Sequence, residues 1–142
     1  MDDTDEDYVL ERQVGYLLRR ANQRHAALFA RHFAAFDLTP LQFAVLMKLR
    51  ASGPLSQNHL GRLTAMDPNT AQGVIQRLLR RQLLARRPSP EDRRRKLLSL
   101  TDSGLALATR LTVEGKAISE ATLAPLTTRQ RRQLLALLAR LV

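Results

Sequence analysis

The chain has 142 residues, 44% of them hydrophobic, the size and apolar content expected of a single domain that can bury a core. It has no cysteine, so a disulfide framework, a thiolate metal site and cysteine-based oxidant sensing are all excluded. Its 23 Lys and Arg against 13 Asp and Glu leave a formal net charge of +10, which favours a polyanionic partner.

The charge is unevenly spread. Asp2, Asp3, Asp5, Glu6 and Asp7 crowd the start, whereas Arg80, Arg81, Arg86, Arg87, Arg93, Arg94, Arg95 and Lys96 lie close together. The basic group reads as a docking surface, with a merely solvated face as the alternative. The stretch Met1–Asp7 has neither the basic flank nor the apolar run of a targeting segment. No apolar stretch approaches the ~18 residues needed to cross a bilayer, so a soluble, cytoplasmic protein with no membrane partner is expected.

From Tyr8 to Phe36, apolar residues including Leu10, Val14, Leu17, Leu18, Leu28, Phe29 and Phe33 recur every three or four positions, which predicts one long amphipathic helix. Thr39-Pro40-Leu41-Gln42 opens the next: Thr39 caps, Pro40 suits the first turn, and Gln42 completes a capping box. That helix should reach Ala51 and stop at Ser52-Gly53-Pro54. Two closely spaced starts follow, Ser56 before Gln57–Leu63, and Asp67-Pro68 before Asn69–Gln82. Only Thr64-Ala65-Met66 separate them, the connection length of a helix-turn-helix.

Leu83–Arg87 and Lys96–Leu100 read as short strands around Pro88-Ser89-Pro90-Glu91-Asp92, whose prolines forbid a helix. Two strands with a basic loop beside a helix-turn-helix make a wing. Thr101-Asp102-Ser103 caps a further helix to Leu123. After Pro125, Thr127-Thr128-Arg129-Gln130 opens a last one to Val142. That last helix carries Leu134, Leu135, Leu137, Leu138 and Leu141, more apolar surface than a lone terminal helix hides. Segments 8–36 and 102–142 therefore read as dimerisation helices flanking a DNA-binding lobe at 39–101, with a monomer folding these helices on itself as the alternative.

The fold expected is mainly α: a winged helix-turn-helix with terminal dimerisation helices. In such a lobe the second motif helix enters the major groove, and polar side chains on its N-terminal half reach base edges. Here these are Asn69, Thr70, Gln72 and Gln76, with Gly73 leaving room for close approach. Gln and Asn can bond adenine bidentately, and Thr can meet a thymine methyl. Asn69 and Thr70 could equally serve only to cap their helix, and Arg77 could contact the DNA backbone or pair within the domain. Arg93, Arg94 and Arg95 suit a narrow minor groove, whose negative potential attracts guanidinium groups. Ser56 and Gln57 suit phosphate bonds that position without reading sequence.

Leu38-Thr39-Pro40-Leu41-Gln42-Phe43, Leu55-Ser56-Gln57 with Leu60-Gly61, Met66-Asp67-Pro68-Asn69-Thr70, and Asp92-Arg93-Arg94-Arg95 before Leu100-Thr101-Asp102-Ser103-Gly104 follow in one order. In this the chain resembles the MarR family of bacterial transcription regulators, from about Leu10 to the C-terminus. The resemblance implies a homodimer on double-stranded, near-palindromic operator DNA, with Arg94 entering the minor groove and Asp92 orienting it. It also implies release by a small aromatic acid bound where the dimer helices meet the DNA-binding lobe. The segment Gly15 to His25 is similar to the branch governing catabolism of aromatic and heteroaromatic carboxylates, such as hydroxybenzoates or nicotinate-type acids. The pocket positions matching that branch are Tyr16, Arg19 and His25. An Arg can clamp a carboxylate bidentately. Arg19 and His25 stand about 120° apart around a helix, however, and His25 and His32 can instead be dimer-interface residues.

No cofactor and no metal are expected, because His25, His32 and His59 form no recognisable ligand cluster and no phosphate loop or nucleophile motif signals an enzyme. Two other classes fit the same residues: an architectural protein that coats DNA without sequence preference, and a protein-interaction module or enzyme that uses the winged-helix fold without DNA.

Overall fold

The structure, a computed structural model, describes residues 8–142, so the acidic stretch Asp2–Asp7 lies outside the described residues. In chain order the elements are α1 (Val14–Phe33), α2 (Pro40–Ser52), α3 (Gln57–Leu63), α4 (Pro68–Arg80), β1 (Leu84–Pro88), β2 (Lys96–Leu100), α5 (Asp102–Leu123) and α6 (Thr128–Ala139). The protein is mainly helical with one two-stranded antiparallel sheet. No helix among the described residues is long and apolar enough to cross a membrane.

Local chemistry explains most boundaries. Thr39 and Gln42 form the reciprocal capping box at α2, and Thr127 and Gln130 repeat it at α6. Ser56 Oγ accepts from the His59 amide at α3, and Asp67 accepts from the Thr70 amide at α4.

Several boundaries differ from the sequence reading. The expected helix over Tyr8–Phe36 is an α-helix from Val14 with short 3-10 turns at Leu10–Arg12 and Ala34–Phe36. Gln13 is extended and breaks the run before α1, and Phe33, at φ −104° and ψ 6°, leaves α-helical geometry ahead of the second turn. A three-residue turn keeps nearly the same apolar spacing as an α-helix, so periodicity passes through such breaks unseen. The helix expected to reach Gln82 ends at Arg80, because Gln82 is left-handed (φ 59°) and the Leu83 amide donates back to the Leu78 carbonyl. That use of Leu83 delays β1 by one residue. The last helix stops at Ala139 rather than Val142.

The chain divides into two compact units. One runs from Phe33 to Lys116; the other joins residues up to His32 with Ala117–Val142. Val45, Leu46, Leu60, Ile75, Leu78, Leu98, Ala108 and Leu111 form the fully buried centre of the first unit. Each such Val, Leu or Ile contributes about 1.5–3 kcal/mol by leaving water. Gly61 lets α3 and α4 meet closely, since a Cβ there would lie 3.2 Å from that of Ala71. The helix-turn-helix turn closes with Ala65 left-handed (φ 56°) and the Met66 amide on the Gly61 carbonyl at 2.9 Å.

β1 and β2 pair from Leu84↔Leu100 to Pro88↔Lys96. A further bridge joins Leu55 to Leu98, with both backbone bonds made at 3.0 and 2.7 Å. In the second unit, Arg24 donates to the carbonyls of Thr122 and, at 2.8 Å, Ala121. Arg131 meets Glu120 and the carbonyls of Leu123 and Leu126, closing the α5–α6 turn.

Candidate nucleic-acid interface

α4 has two chemically distinct sides. Ala71, Val74, Ile75 and Leu78 are buried, while Asn69, Thr70, Gln72, Gly73, Gln76, Arg77 and Arg80 are exposed. Asn69, Gly73, Gln76 and Arg80 follow one another at four- and three-residue steps, so they form a single stripe along the helix. Asn69, Gln72 and Gln76 make no side-chain hydrogen bond among the described residues, which leaves their amides free for an outside partner. Thr70 differs: its hydroxyl donates to Asp67 Oδ2 at 2.7 Å while its amide donates to Oδ1 at 2.9 Å. The capping role raised for Thr70 is therefore real, and only its methyl and the oxygen lone pairs remain for DNA. The Asn69 backbone amide also favours the ionised Asp67, while its side chain takes no part in that cap.

These bonds hold the Asp67 carboxyl below its ordinary value, the Thr70 amide first and the Thr70 hydroxyl second. A lowered folded-state pKa means that the cap contributes fully above the ordinary carboxylate range and is lost as pH falls through the lowered value. Asp67→Ala should thus melt earlier than the parent at neutral pH, with the gap narrowing progressively below about pH 4. Thermal melts of both proteins across that range check this.

Gly73 is exposed, and a Cβ there would meet nothing within 4 Å. Nothing inside the protein requires glycine. Gly73→Ala should raise stability by roughly 0.5–1 kcal/mol through helix propensity. If a groove approaches this point, the same change should weaken DNA binding. A melt and a binding titration on one sample separate the two effects.

The wing loop is closed by the Ser89 amide on the Arg95 carbonyl (2.8 Å) and the Arg95 amide on the Asp92 carbonyl (3.0 Å). Arg93, Arg94 and Arg95 are exposed and form no ion pair among the described residues. Asp92 does reach Arg94, but through the backbone: its Oδ1 accepts from the Arg94 amide at 3.0 Å and does not hold the guanidinium. It sets where the loop aims Arg94 and leaves the charge free. At α3, Ser56 Oγ accepts from the His59 amide, so its own proton remains to be donated. Gln57 Oε1 accepts from Arg86 of β1 at 3.0 Å. Arg86, which sequence reasoning took only as one charge of a basic cluster, therefore positions Gln57, and no local signal marks a pair 29 positions apart.

Of the residues matched to an acid pocket, Tyr16 and His25 are half-buried and Arg19 is exposed. No hydrogen bond or ring contact joins the three. The Tyr16 hydroxyl accepts from Arg20 at 3.0 Å, with that guanidinium 5.8 Å from the ring centre. His25 Nδ1 bonds Thr122 Oγ1 at 2.9 Å. Arg20, Arg24 and Thr122 are the neighbours that the sequence did not point to. Among the described residues, no group of three or more His, Asp or Glu is placed to hold a metal ion.

Residues 36–95, from the end of α1's flanking turn through the wing, match the MarR family. The repressor NicR of Pseudomonas putida is 39% identical over 95% of this chain and 85% of its own length. This chain belongs to the MarR family. It is a DNA-binding transcriptional regulator of the repressor type. A crystal structure of a Pseudomonas aeruginosa protein superposes with a TM-score of 0.88 at 46% identity, covering 94% of this chain and all of that one. BpsR of Bordetella bronchiseptica, whose DNA binding is regulated by 6-hydroxynicotinic acid, superposes with a TM-score of 0.88 at 40% identity over 94% of this chain and 96% of its own.

Proposed function

We propose that this chain works in the cytoplasm as a homodimeric repressor, bound to a near-palindromic operator and released by a small aromatic carboxylate of the nicotinate or hydroxybenzoate type. The observation that carries the DNA part is the uncommitted polar face of α4, with the wing arginines beside it in the same compact unit. Asn69, Gln72 and Gln76 read base edges in the major groove, Gly73 admits the groove wall, and Thr70 offers its methyl. Arg94 enters the minor groove with Arg93 and Arg95 beside it, while Ser56, Gln57 and Arg77 hold phosphates.

Dimerisation is supported by the unit that joins residues up to His32 with Ala117–Val142. There Tyr8, Leu10, Val14, Leu17, Leu135, Leu137 and Leu141 are all more than half exposed. A second copy would remove this surface from water, and no residue of α6 is buried without one. Sensing of an aromatic acid is supported by the likeness to BpsR. Arg19, which has no partner among the described residues, clamps the carboxylate, Tyr16 offers a ring face, and His25 keeps Nε2 for a second oxygen of the ligand.

The test is a footprint on DNA flanking the gene, with and without 6-hydroxynicotinic acid and a panel of hydroxybenzoates. Two protected half-sites about 10 base pairs apart, a steep loss of affinity with salt, and release by one of the acids are expected. Equal affinity for unrelated DNA would instead identify an architectural coat protein. A single-chain species in sedimentation at all concentrations would remove the dimer.

A further inference from the structure

We propose that Thr39, Gln42, Arg77 and Arg80 form a phosphate site on the flank of α4, and that on the operator its occupant is a backbone phosphate beyond the bases read by the helix. The inference rests on the reading of α4 as the groove helix. It starts from a cavity of about 410 Å³ lined by Asp37, Thr39, Gln42, Arg77, Arg80 and Arg81, all within the unit Phe33–Lys116. Arg81 is already committed, since its guanidinium donates to the Asp37 and Phe36 carbonyls at 2.7 and 3.1 Å. Arg77 and Arg80 are not: neither guanidinium has a hydrogen bond or ion pair among the described residues, and the Asp37 carboxylate pairs with neither.

The cavity wall supplies two further donors. Thr39 Oγ1 accepts from the Gln42 amide at 3.2 Å, which leaves its hydroxyl proton free. Gln42 is only 6% exposed; its Oε1 accepts from the Thr39 amide at 3.1 Å, while its Nε2 donates to no protein atom. No buried side-chain nitrogen or oxygen among the described residues lacks a partner. The Gln42 Nε2 therefore still reaches solvent, and the cavity that Gln42 lines is its outlet. The residues that carry a nearly buried amide donor, a free hydroxyl and two unpaired guanidinium groups all line one cavity, with Asp37 its single carboxylate residue. An anion with several oxygen acceptors satisfies all four.

Four donors match the lone pairs of the two non-bridging oxygens of a phosphodiester, the anion that duplex DNA presents at every step of its backbone. The volume falls in the range that admits molecules well above a lone ion in size, so a sugar–phosphate segment can enter. Arg80 also continues the stripe of Asn69, Gly73 and Gln76 beyond its last amide. On a helix lying in the major groove, the next group met past the base edges is the strand backbone.

The full-length protein is titrated with an operator duplex and a scrambled duplex over a series of KCl concentrations, as parent, Arg80→Gln, Arg77→Gln and Lys116→Gln. Lys116 is an exposed residue of α5, and its change is a control for the loss of one charge. Each lost phosphate contact lowers the slope of log K against log salt by about 0.9, so Arg80→Gln should lower it by nearly two in a dimer, with the operator-over-scrambled ratio kept. Slopes for Arg80→Gln and Arg77→Gln that match the Lys116→Gln control would overturn the DNA occupant. Inorganic phosphate without DNA gives the second arm. A melting-temperature rise in the parent that Arg80→Gln abolishes, with the DNA slope unchanged, assigns the site to a free phosphate. No effect in either arm overturns the site itself. Should the parent show no operator preference, the functional reading fails on its own, and the inorganic-phosphate arm alone judges the site.

Discussion

Gly104→Ala should lower the melting temperature by roughly 10 °C. A Cβ at this position would lie 2.0 Å from the Leu83 carbonyl oxygen and 3.0 Å from its carbon. Those atoms belong to the backbone, so no rotamer change relieves the overlap. The surroundings are also held: the Leu83 oxygen accepts from the Thr101 amide at 3.1 Å, and the Gln82 oxygen accepts from the Thr101 hydroxyl at 2.7 Å. Overpacking costs about 1–3 kcal/mol, and a backbone obstacle belongs at the top of that range. At about 3–4 °C per kcal/mol for a chain of this length, the shift follows. Melts monitored by circular dichroism check it against Gly73→Ala, where open space surrounds the added carbon. Equal melting temperatures for parent and Gly104→Ala would mean that the start of α5 slides freely on the α4–β1 turn.

Arg94→Ala should cost about 2 kcal/mol of DNA binding in each subunit, the worth of a hydrogen bond to a charged group. That is roughly thirtyfold per half-site and about a thousandfold on a complete operator bound by a dimer. Fluorescence anisotropy at fixed salt measures it. Asp92→Ala should cost less, because the guanidinium stays and only the amide bond that aims its loop is lost. Asp92→Asn should recover much of the difference, since an amide oxygen can accept from the same Arg94 N–H. Unchanged affinity in Arg94→Ala would place the wing outside the interface and leave α4 to act alone.

The elements that could be read from the chain are those written in neighbouring residues. Thr39 with Gln42, Asp67 with Pro68, and Thr127 with Gln130 each state a helix start within four positions, and each start stands where its cap residue put it. Helix ends were harder. α3 and α4 both close through a left-handed residue, yet Ala65 and Gln82 occupy those places where glycine is the usual signal. In the candidate interface, residue types and helical spacing point to the exposed face of α4, because Val74, Ile75 and Leu78 lie together on its buried face. What neighbouring residues cannot encode is a partnership across the fold. His25 meets Thr122 at a separation of 97 positions, and Gln57 meets Arg86 from another element. Asp92 shows a subtler gap. Its nearness to Arg94 was legible, but whether it grips the charge or the amide depends on the loop's backbone path.

The Leu55–Leu98 bridge and the Arg86–Gln57 bond tie the entry to α3 and its first residue to the sheet that carries the wing. If α4 lies in the major groove and Arg94 in the minor, as proposed, these ties help to set the interval between them within the polypeptide, like the jaws of a fixed-gap gauge. DNA whose local twist alters that interval must then deform to fit or be passed over, which gives such a head a preference for duplex shape at base pairs it never touches.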